Sequence, residues 1–495
     1  MQKAFLIRFV VFASFLLASW SAFATHNRAG EITYEHISGL TYRITITTYT
    51  KASAVADRPW LKIRWGDEPS NVTEDQLDSL SREDPPTDLL GLDTQVNIYY
   101  GNHAYASTGT FVIAVEDPNR NAGILNINNG DSNTEEGDKT STSVMAVFAI
   151  TTTLVIRPGF NGHNDSVILT KPPTDIACIN TVWEHNPGAY DPNGDQLVYS
   201  LVNCLGAAFF PLEGWESPEL FTEDPSDFFT INTETGDITW DVPLVAGEYN
   251  IAILIQEFRD GDLVGSVLRD MQITVVNCNN DPPIINPLPD YCVDAGSSLI
   301  IPLTVIDPNT DAVLITPYSG IFTELVHDAT WNAGANTLSW NPECEEVRSE
   351  PYYVSFSATD DGDPNLTDIE TVSIRVVAPR VENPAAVAQG NQVTLTWDPT
   401  PCLGAFPSYQ LPFVSYDIYR RQGSFGFIPD QCETGVPAYT GYTYIGSVDG
   451  ATTTTYVDTD VIFGGEFCYM IVTIWPDGAE SYASAETCVI IRKDA

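Results

Sequence analysis

The stretch Asn277-Cys278-Asn279-Asn280-Asp281-Pro282-Pro283 sets one carboxylate and three amides just before two prolines. Side-chain oxygens at a stiffened joint suit a catalytic pocket, a hard-cation site or an Asx turn, and the residues alone leave all three open. Other chemistry is sparser. The six histidines stand at 26, 36, 103, 163, 185 and 327 with no H-E-x-x-H pair, and the chain has no G-x-S-x-G elbow, Walker loop or dinucleotide glycine fingerprint. Carboxylate pairs such as Asp360-Asp361 and Glu345-Glu346 are numerous. Adjacency is not a glycosidase geometry, which needs two carboxyls about 5–10 Å apart across a cleft. Tyr99-Tyr100, Trp215 and the run Tyr439 to Tyr444 could form a sugar-stacking platform or simply pack strands. No catalytic residue is assigned, and an enzyme is not expected.

The elements that must position these groups are β-strands. Short alternating β-branched and aromatic runs, such as Tyr42 to Thr50, Tyr249 to Ile255 and Gln392 to Trp397, are separated by Gly, Pro, Asn and Asp turns. The expected class is all-β, a tandem array of four β-sandwich, immunoglobulin-like domains after a signal peptide. Lys3 and Arg8 precede the apolar run Phe9 to Trp20, and Ala22-Phe23-Ala24 supplies small residues for cleavage, so residues 1–24 read as a secretory signal peptide. The paired prolines Pro172-Pro173 and Pro282-Pro283 and the stretch from Ala378 mark joints, giving units at 25–171, 172–281, 282–378 and 379–495. Units two and three read as one repeat, with Trp240 and Trp340 lying 100 residues apart.

The 495 residues carry 22 Lys plus Arg against 66 Asp plus Glu, a net charge of −44. That balance repels nucleic acid and anionic membranes and favours hard cations. After signal cleavage no run is long and apolar enough to span a bilayer.

Nine cysteines without a C-x-x-C pair suit an oxidising compartment, and their odd number leaves one thiol over. Asp477-Gly478 is a hairpin signal with Cys468 ten residues before Gly478 and Cys488 ten after, which predicts a Cys468–Cys488 bond. Pairing within units predicts Cys402–Cys432, Cys292–Cys344 and Cys178–Cys204, leaving Cys278 at the joint.

The middle units, with Tyr190 to Leu201 and Ile306 to Ile315 as their acidic loops, resemble cadherin-like and related bacterial immunoglobulin-like modules. The heptad at 277–283 is similar to a loosened cadherin linker, D-x-N-D-x-x-P. The resemblance implies a calcium site with Asn277, Asn279, Asn280 and Asp281 from the linker and Asp307, Asn309 and Asp360 from the next module. Amides replace most linker carboxylates, which reduces this to at most one weak Ca2+ site, against the alternative of an Asx-turn joint without metal. Arg64 to Asp67 and Asn102 to Phe111 resemble a polycystic-kidney-disease-type (PKD-like) sandwich, which implies that Trp65, Tyr105 and Phe111 are core aromatics. The last unit, with Trp397, Tyr416 and a late hairpin, resembles fibronectin type III, with Phe467 where that family has its corner tyrosine.

The stretches Thr25 to Asp67, Asp117 to Gly123, Asn186 to Asp195, Arg269 to Val275 and Cys432 to Tyr442 together resemble the gliding-motility-associated surface proteins of Gram-negative bacteria, which are type IX secretion substrates. The resemblance implies an exported, non-enzymatic, adhesin-like protein whose ligand is a surface glycan or protein. The family's C-terminal sorting domain is not seen before Ala495, so the expectation is a secreted or surface protein, or a periplasmic one if sorting is not otherwise supplied. The alternative is a secreted glycan-binding protein or a hydrolase with an unmarked carboxylate pair.

Overall fold

The computed structural model describes residues 27–54, 58–83, 93–127, 143, 146–157, 163–212, 214–221, 227–405 and 414–492; the signal peptide expected at 1–24 lies outside them. Among the described residues every long element is a strand, and the only helical turns are short 3-10 segments. The fold is all-β, as expected. Alternation explains the strands locally: in Thr41–Lys51, Tyr42, Ile44 and Ile46 are buried while Arg43 is exposed.

The first two units are not serial. One nine-stranded sheet runs through both, in the order Gln196–Val202, Gly247–Arg259, Asp262–Val276, Asn27–Ser38, Thr41–Lys51, Thr94–Ala104. Phe148–Ile156 and Thr174–Cys178 also pair with the Asp262–Val276 strand. The boundary expected between 171 and 172 is therefore corrected: the backbone hydrogen bonding crosses it. The physical reason lies in the Asp262–Val276 strand, whose 15 residues include an unbroken buried run from Val264 to Ile273. A strand covered on both faces is central, not the edge of a separate sandwich.

That run is not all apolar, and its polar members tie the two units together. Arg120 gives a bidentate pair to Asp270 (Nη1–Oδ1 3.0 Å, Nη2–Oδ2 2.6 Å), with both residues at 0% exposure. Arg269 donates from Nε and Nη2 to Glu31 at 3.0 and 3.1 Å, and from Nη1 to the Lys171 carbonyl at 2.6 Å. Gln272 joins Arg28, Asn121 and Asn250. Buried charges survive only when paired and hydrogen-bonded in this way.

The third unit is a sandwich of a four-stranded sheet (Tyr291–Asp294, Thr367–Val377, Tyr352–Asp360, Val313–Tyr318) and a three-stranded one (Leu299–Pro302, Thr337–Trp340, Thr330–Asn332). The fourth packs Ala385–Gln389, Gln392–Thr396 and Thr455–Asp458 against Thr443–Asp449, Ser415–Gln422, Glu466–Ile474 and Thr487–Ile490. The repeat of units two and three is visible in their cores. Trp240 meets Tyr249 edge-on at 5.0 Å and Trp340 meets Tyr352 edge-on at 5.1 Å. Such aromatic pairs add about 0.5–1.5 kcal/mol beyond burial. In the first unit Trp65, Tyr105 and Phe111 sit in the core. His103 stacks on Trp65 at 4.6 Å and places Nε2 2.9 Å from Asp67, a packing role.

Cys468 and Cys488 are bonded and are register partners across their hairpin, as the turn predicts. The other three pairings are corrected. Cys178 bonds Cys278 and not Cys204, because Thr174–Cys178 runs parallel to the Asp262–Val276 strand with Cys178 opposite Val276. Cys204 is the free thiol, buried against Ala252 and Leu268. Cys292 bonds Cys432, and Cys344 bonds Cys402. For these last two bonds pairing within units fails because units three and four share a core: Cys402, Trp475 and Ala479 of the fourth lie in the cluster built around Trp340 and Phe356.

Candidate functional site

The loop Asp-Pro-Asn-x-Asp occurs twice, at 191–195 and 307–311. Its first aspartate folds the loop on itself. Asp191 Oδ1 accepts the N–H of Asn193 at 2.8 Å and of Asp195 at 3.0 Å; Asp307 Oδ1 accepts those of Asn309 at 2.9 Å and Asp311 at 2.8 Å. The asparagine then reaches back to the preceding segment. Asn193 Oδ1 accepts the Asp165 N–H at 2.7 Å, and Asn309 Oδ1 accepts the Asp281 N–H at 2.8 Å, across 28 residues in each case. Asn164-Asp165 is thus the counterpart of Asn280-Asp281. In both loops Oδ2 of the first aspartate is buried without a hydrogen-bond partner.

The two loops differ in charge. Beside the first, Arg259 closes the Gly247–Arg259 strand and grips Asp195 from Nε and Nη2 at 2.6 and 2.5 Å, while Nη2 also donates to Asn164 Oδ1 at 3.0 Å. Beside the second, the matching strand Tyr352–Asp360 ends on Asp360. Its Oδ1 accepts the N–H groups of Gly362 and Leu366 at 3.1 and 2.9 Å, and its Oδ2 accepts Asn280 Nδ2 at 2.9 Å. By strand register Asp360 is the counterpart of Glu257, with Leu197 opposite Glu257 and Val313 opposite Asp360, and each carboxylate accepts the Nδ2 of its own joint asparagine, Asn164 at 2.6 Å and Asn280 at 2.9 Å. The position of Arg259 falls on Gly362, so the third unit has no guanidinium there. Desolvation, then the carboxylates of Asp307, Asp361 and Asp360, push the Asp311 carboxyl up. Asn280 Oδ1, like Asp307 Oδ2, is a buried oxygen with no partner.

Of the residues expected at a calcium site, Asn280, Asp281, Asp307, Asn309 and Asp360 come together here, Asp281 through its backbone. Asn277 and Asn279 are exposed. Asp311 and Asp361 also belong to the cluster and were not expected; the repeated Asp-Pro-Asn-x-Asp loop is the signal that marks Asp311. Hard carboxylate and amide oxygens with two orphans fit a divalent cation chemically. The described His, Cys, Asp and Glu residues place three ligand atoms within 4.8 Å of one another elsewhere, at His327, Glu345 and Glu346 and around the Cys468–Cys488 bond. At the joint, binding must draw the carboxylates closer.

A cleft of about 240 Å³ opens between units two and three, with Tyr190, Asp191 and Glu234 on one side and Glu324, Glu350, Tyr352 and Tyr353 on the other. Tyr190 Oη donates across it to Glu324 at 3.0 Å. Burial, then Asp195, push the Asp191 carboxyl up to about 7. Deeper in the second unit, burial and then Asp191 push the Glu257 carboxyl up to about 8, although Val167 N–H and Asn164 Nδ2 both donate to it at 2.6 Å.

Among the described residues no helix is long and apolar enough to cross a membrane. Four disulfides fit an oxidising, extracytoplasmic compartment.

No family model matches the chain, and no curated protein does. Solved structures similar to parts of it include a Fn3-like protein from Clostridium thermocellum, at 26% identity over 23% of this chain and 94% of that one, with a TM-score of 0.16. Extracellular domains 3-5 of Drosophila OTK align at 12% identity over 66% of this chain and 97% of theirs, with a TM-score of 0.25. Human CDH23 EC21-23 aligns at 19% identity over 46% and 83%, with a TM-score of 0.18.

Proposed function

We propose that this chain is a non-enzymatic, exported, multi-domain surface protein of the gliding-motility-associated kind, serving cell-surface attachment or gliding-associated adhesion by binding a surface glycan or protein. The observation that carries the reading is the joining of the units. A continuous sheet links the first two, and two disulfides link the last two. Side-chain-filled sandwiches joined in this way transmit force and present loops without needing a reaction centre. The PKD-like character of the first unit, the signal peptide and an outer-surface location in a Gram-negative cell belong to the same reading.

Fractionation with an antibody to the chain, with attachment measured in cells lacking it, tests this. The expected result is the chain in the envelope or medium, together with loss of attachment. Turnover of a polysaccharide by the purified protein, abolished by one acidic substitution, would favour the carbohydrate-active alternative.

The reading includes one weak calcium ion at the joint of units two and three, held by Asp307, Asp360 and Asn280 with Asp311 and Asp361 alongside. The cation supplies in the third unit the positive charge that Arg259 supplies in the second. Extracellular sites of this kind bind in the range of about 10⁻⁴–10⁻³ M. At ten times Kd the gain is about 1.4 kcal/mol. Calcium should raise the melting temperature of the third unit by a few degrees, and Asp307→Asn should remove that rise. An unchanged melting temperature at millimolar calcium sinks the site.

A further inference from the structure

The cleft between units two and three has a charge balance that the fold does not explain. Five carboxylates line it, those of Asp191, Asp195, Glu234, Glu324 and Glu350, against one cation, Arg348. Arg348 is already engaged. Its Nε donates to the Glu350 carbonyl and its Nη2 to the Pro351 carbonyl, each at 2.9 Å, and its guanidinium lies 3.6 Å over the Tyr352 ring. Asp195 is neutralised by Arg259. Asp191 is not neutralised by contact: it is 9% exposed, its Oδ1 serves the loop, and its Oδ2 has no hydrogen-bond partner. A buried carboxylate oxygen without a partner is costly, and a ligand cation would satisfy it.

We infer that this cleft takes a single basic side chain, guanidinium or ammonium, from a partner polypeptide. The tyrosines supply faces and edges for a cation and the carboxylates supply its counter-charge. At about 240 Å³ the space falls below the roughly 300–1,000 Å³ of drug-sized sites. That volume suits one side chain. Because its walls come from two units, the bound cation bridges the joint beside the Tyr190–Glu324 hydrogen bond. The inference names the partner chemistry for the binding role proposed above and rests on that role.

The test uses the full mature chain and four probes: N-acetyl-arginine amide, N-acetyl-lysine amide, the neutral citrulline analogue, and calcium chloride. Calorimetry should show the two cationic amides binding and weakening with salt, the citrulline analogue binding at least about tenfold more weakly, and calcium failing to compete. Asp191→Asn keeps an Oδ1 acceptor for the loop and should weaken the cationic amides at least about tenfold. Should that variant lose its fold, Glu350→Gln, which is only half-buried, should weaken them severalfold with the melting temperature unchanged. Citrulline binding as tightly as arginine, competition by calcium, or no binding of any amide at millimolar concentration overturns the inference. None of these outcomes touches the non-enzymatic reading, which fails only if the chain turns a substrate over.

Discussion

Arg120→Met should destabilise the fused first two units by about 3–5 kcal/mol, the cost of leaving a buried charge without its partner. Arg120 and Asp270 are both fully buried, and the guanidinium carries both oxygens of the carboxylate. Once it is removed, Asp270 keeps Asn250 Nδ2, at 2.8 Å, and the buried Cys204 thiol beside it, and the Leu205 carbonyl loses its 3.1 Å donor. The double variant Arg120→Met with Asp270→Leu should recover most of the loss, because replacing both partners of a buried pair by apolar groups is often close to neutral. Urea unfolding of the four proteins of this cycle measures the coupling. Arg120 precedes the expected boundary and Asp270 follows it, so a large coupling is a property of the shared sheet. A single variant within about 1 kcal/mol of the parent would mean that the two units do not share this seam.

The seam shows what could be read from residues and what could not. Thr25 to Asp67, Asp117 to Gly123 and Arg269 to Val275 stand out in the sequence as marked stretches far apart in the chain. The structure brings them into one network, with Asn27 Nδ2 on Asp117 Oδ2 at 2.8 Å, Arg120 on Asp270, and Arg269 on Glu31. Period-2 alternation reports that a strand has two faces, and so the β class was legible. It does not report which distant strand lies alongside, and a polar residue facing another strand's polar residue looks, in sequence, like one facing water. The unbroken buried run Val264 to Ile273, broken in sequence by Arg269, Asp270 and Gln272, was therefore not recognisable as a central strand. At the joint the turn-forming aspartates were legible from the proline and asparagine spacing. That the third unit has Gly362 where the second has Arg259 emerged only from the strand registers beside the matched loops.

The other large effect concerns the last two units. Removing both Cys292–Cys432 and Cys344–Cys402, by substituting all four cysteines with alanine, should lower stability by about 2–4 kcal/mol per bond. The loops they close span 140 and 58 residues, so most of the gain lies in restraining the unfolded chain. The fixed placement of one unit on the other should weaken as well. What then remains at this interface includes Trp475 in the core of the third unit, Tyr482 Oη donating to Asp294 at 2.8 Å, and Gln431 Nε2 donating to the Cys292 carbonyl at 3.2 Å. Limited proteolysis near Ala378 should accelerate, whereas Cys468→Ala with Cys488→Ala, which opens only a 20-residue hairpin, should leave that site protected. Peptide mapping without reduction tests the connectivity itself. Trypsin cannot separate Cys278, Cys292 and Cys344, because no Lys or Arg lies between Arg269 and Arg348, so cleavage beside acidic residues is required. Fragments joining Cys292 to Cys432 are expected; fragments joining Cys292 to Cys344 would return the bonds to single units and leave the interface to side-chain packing alone.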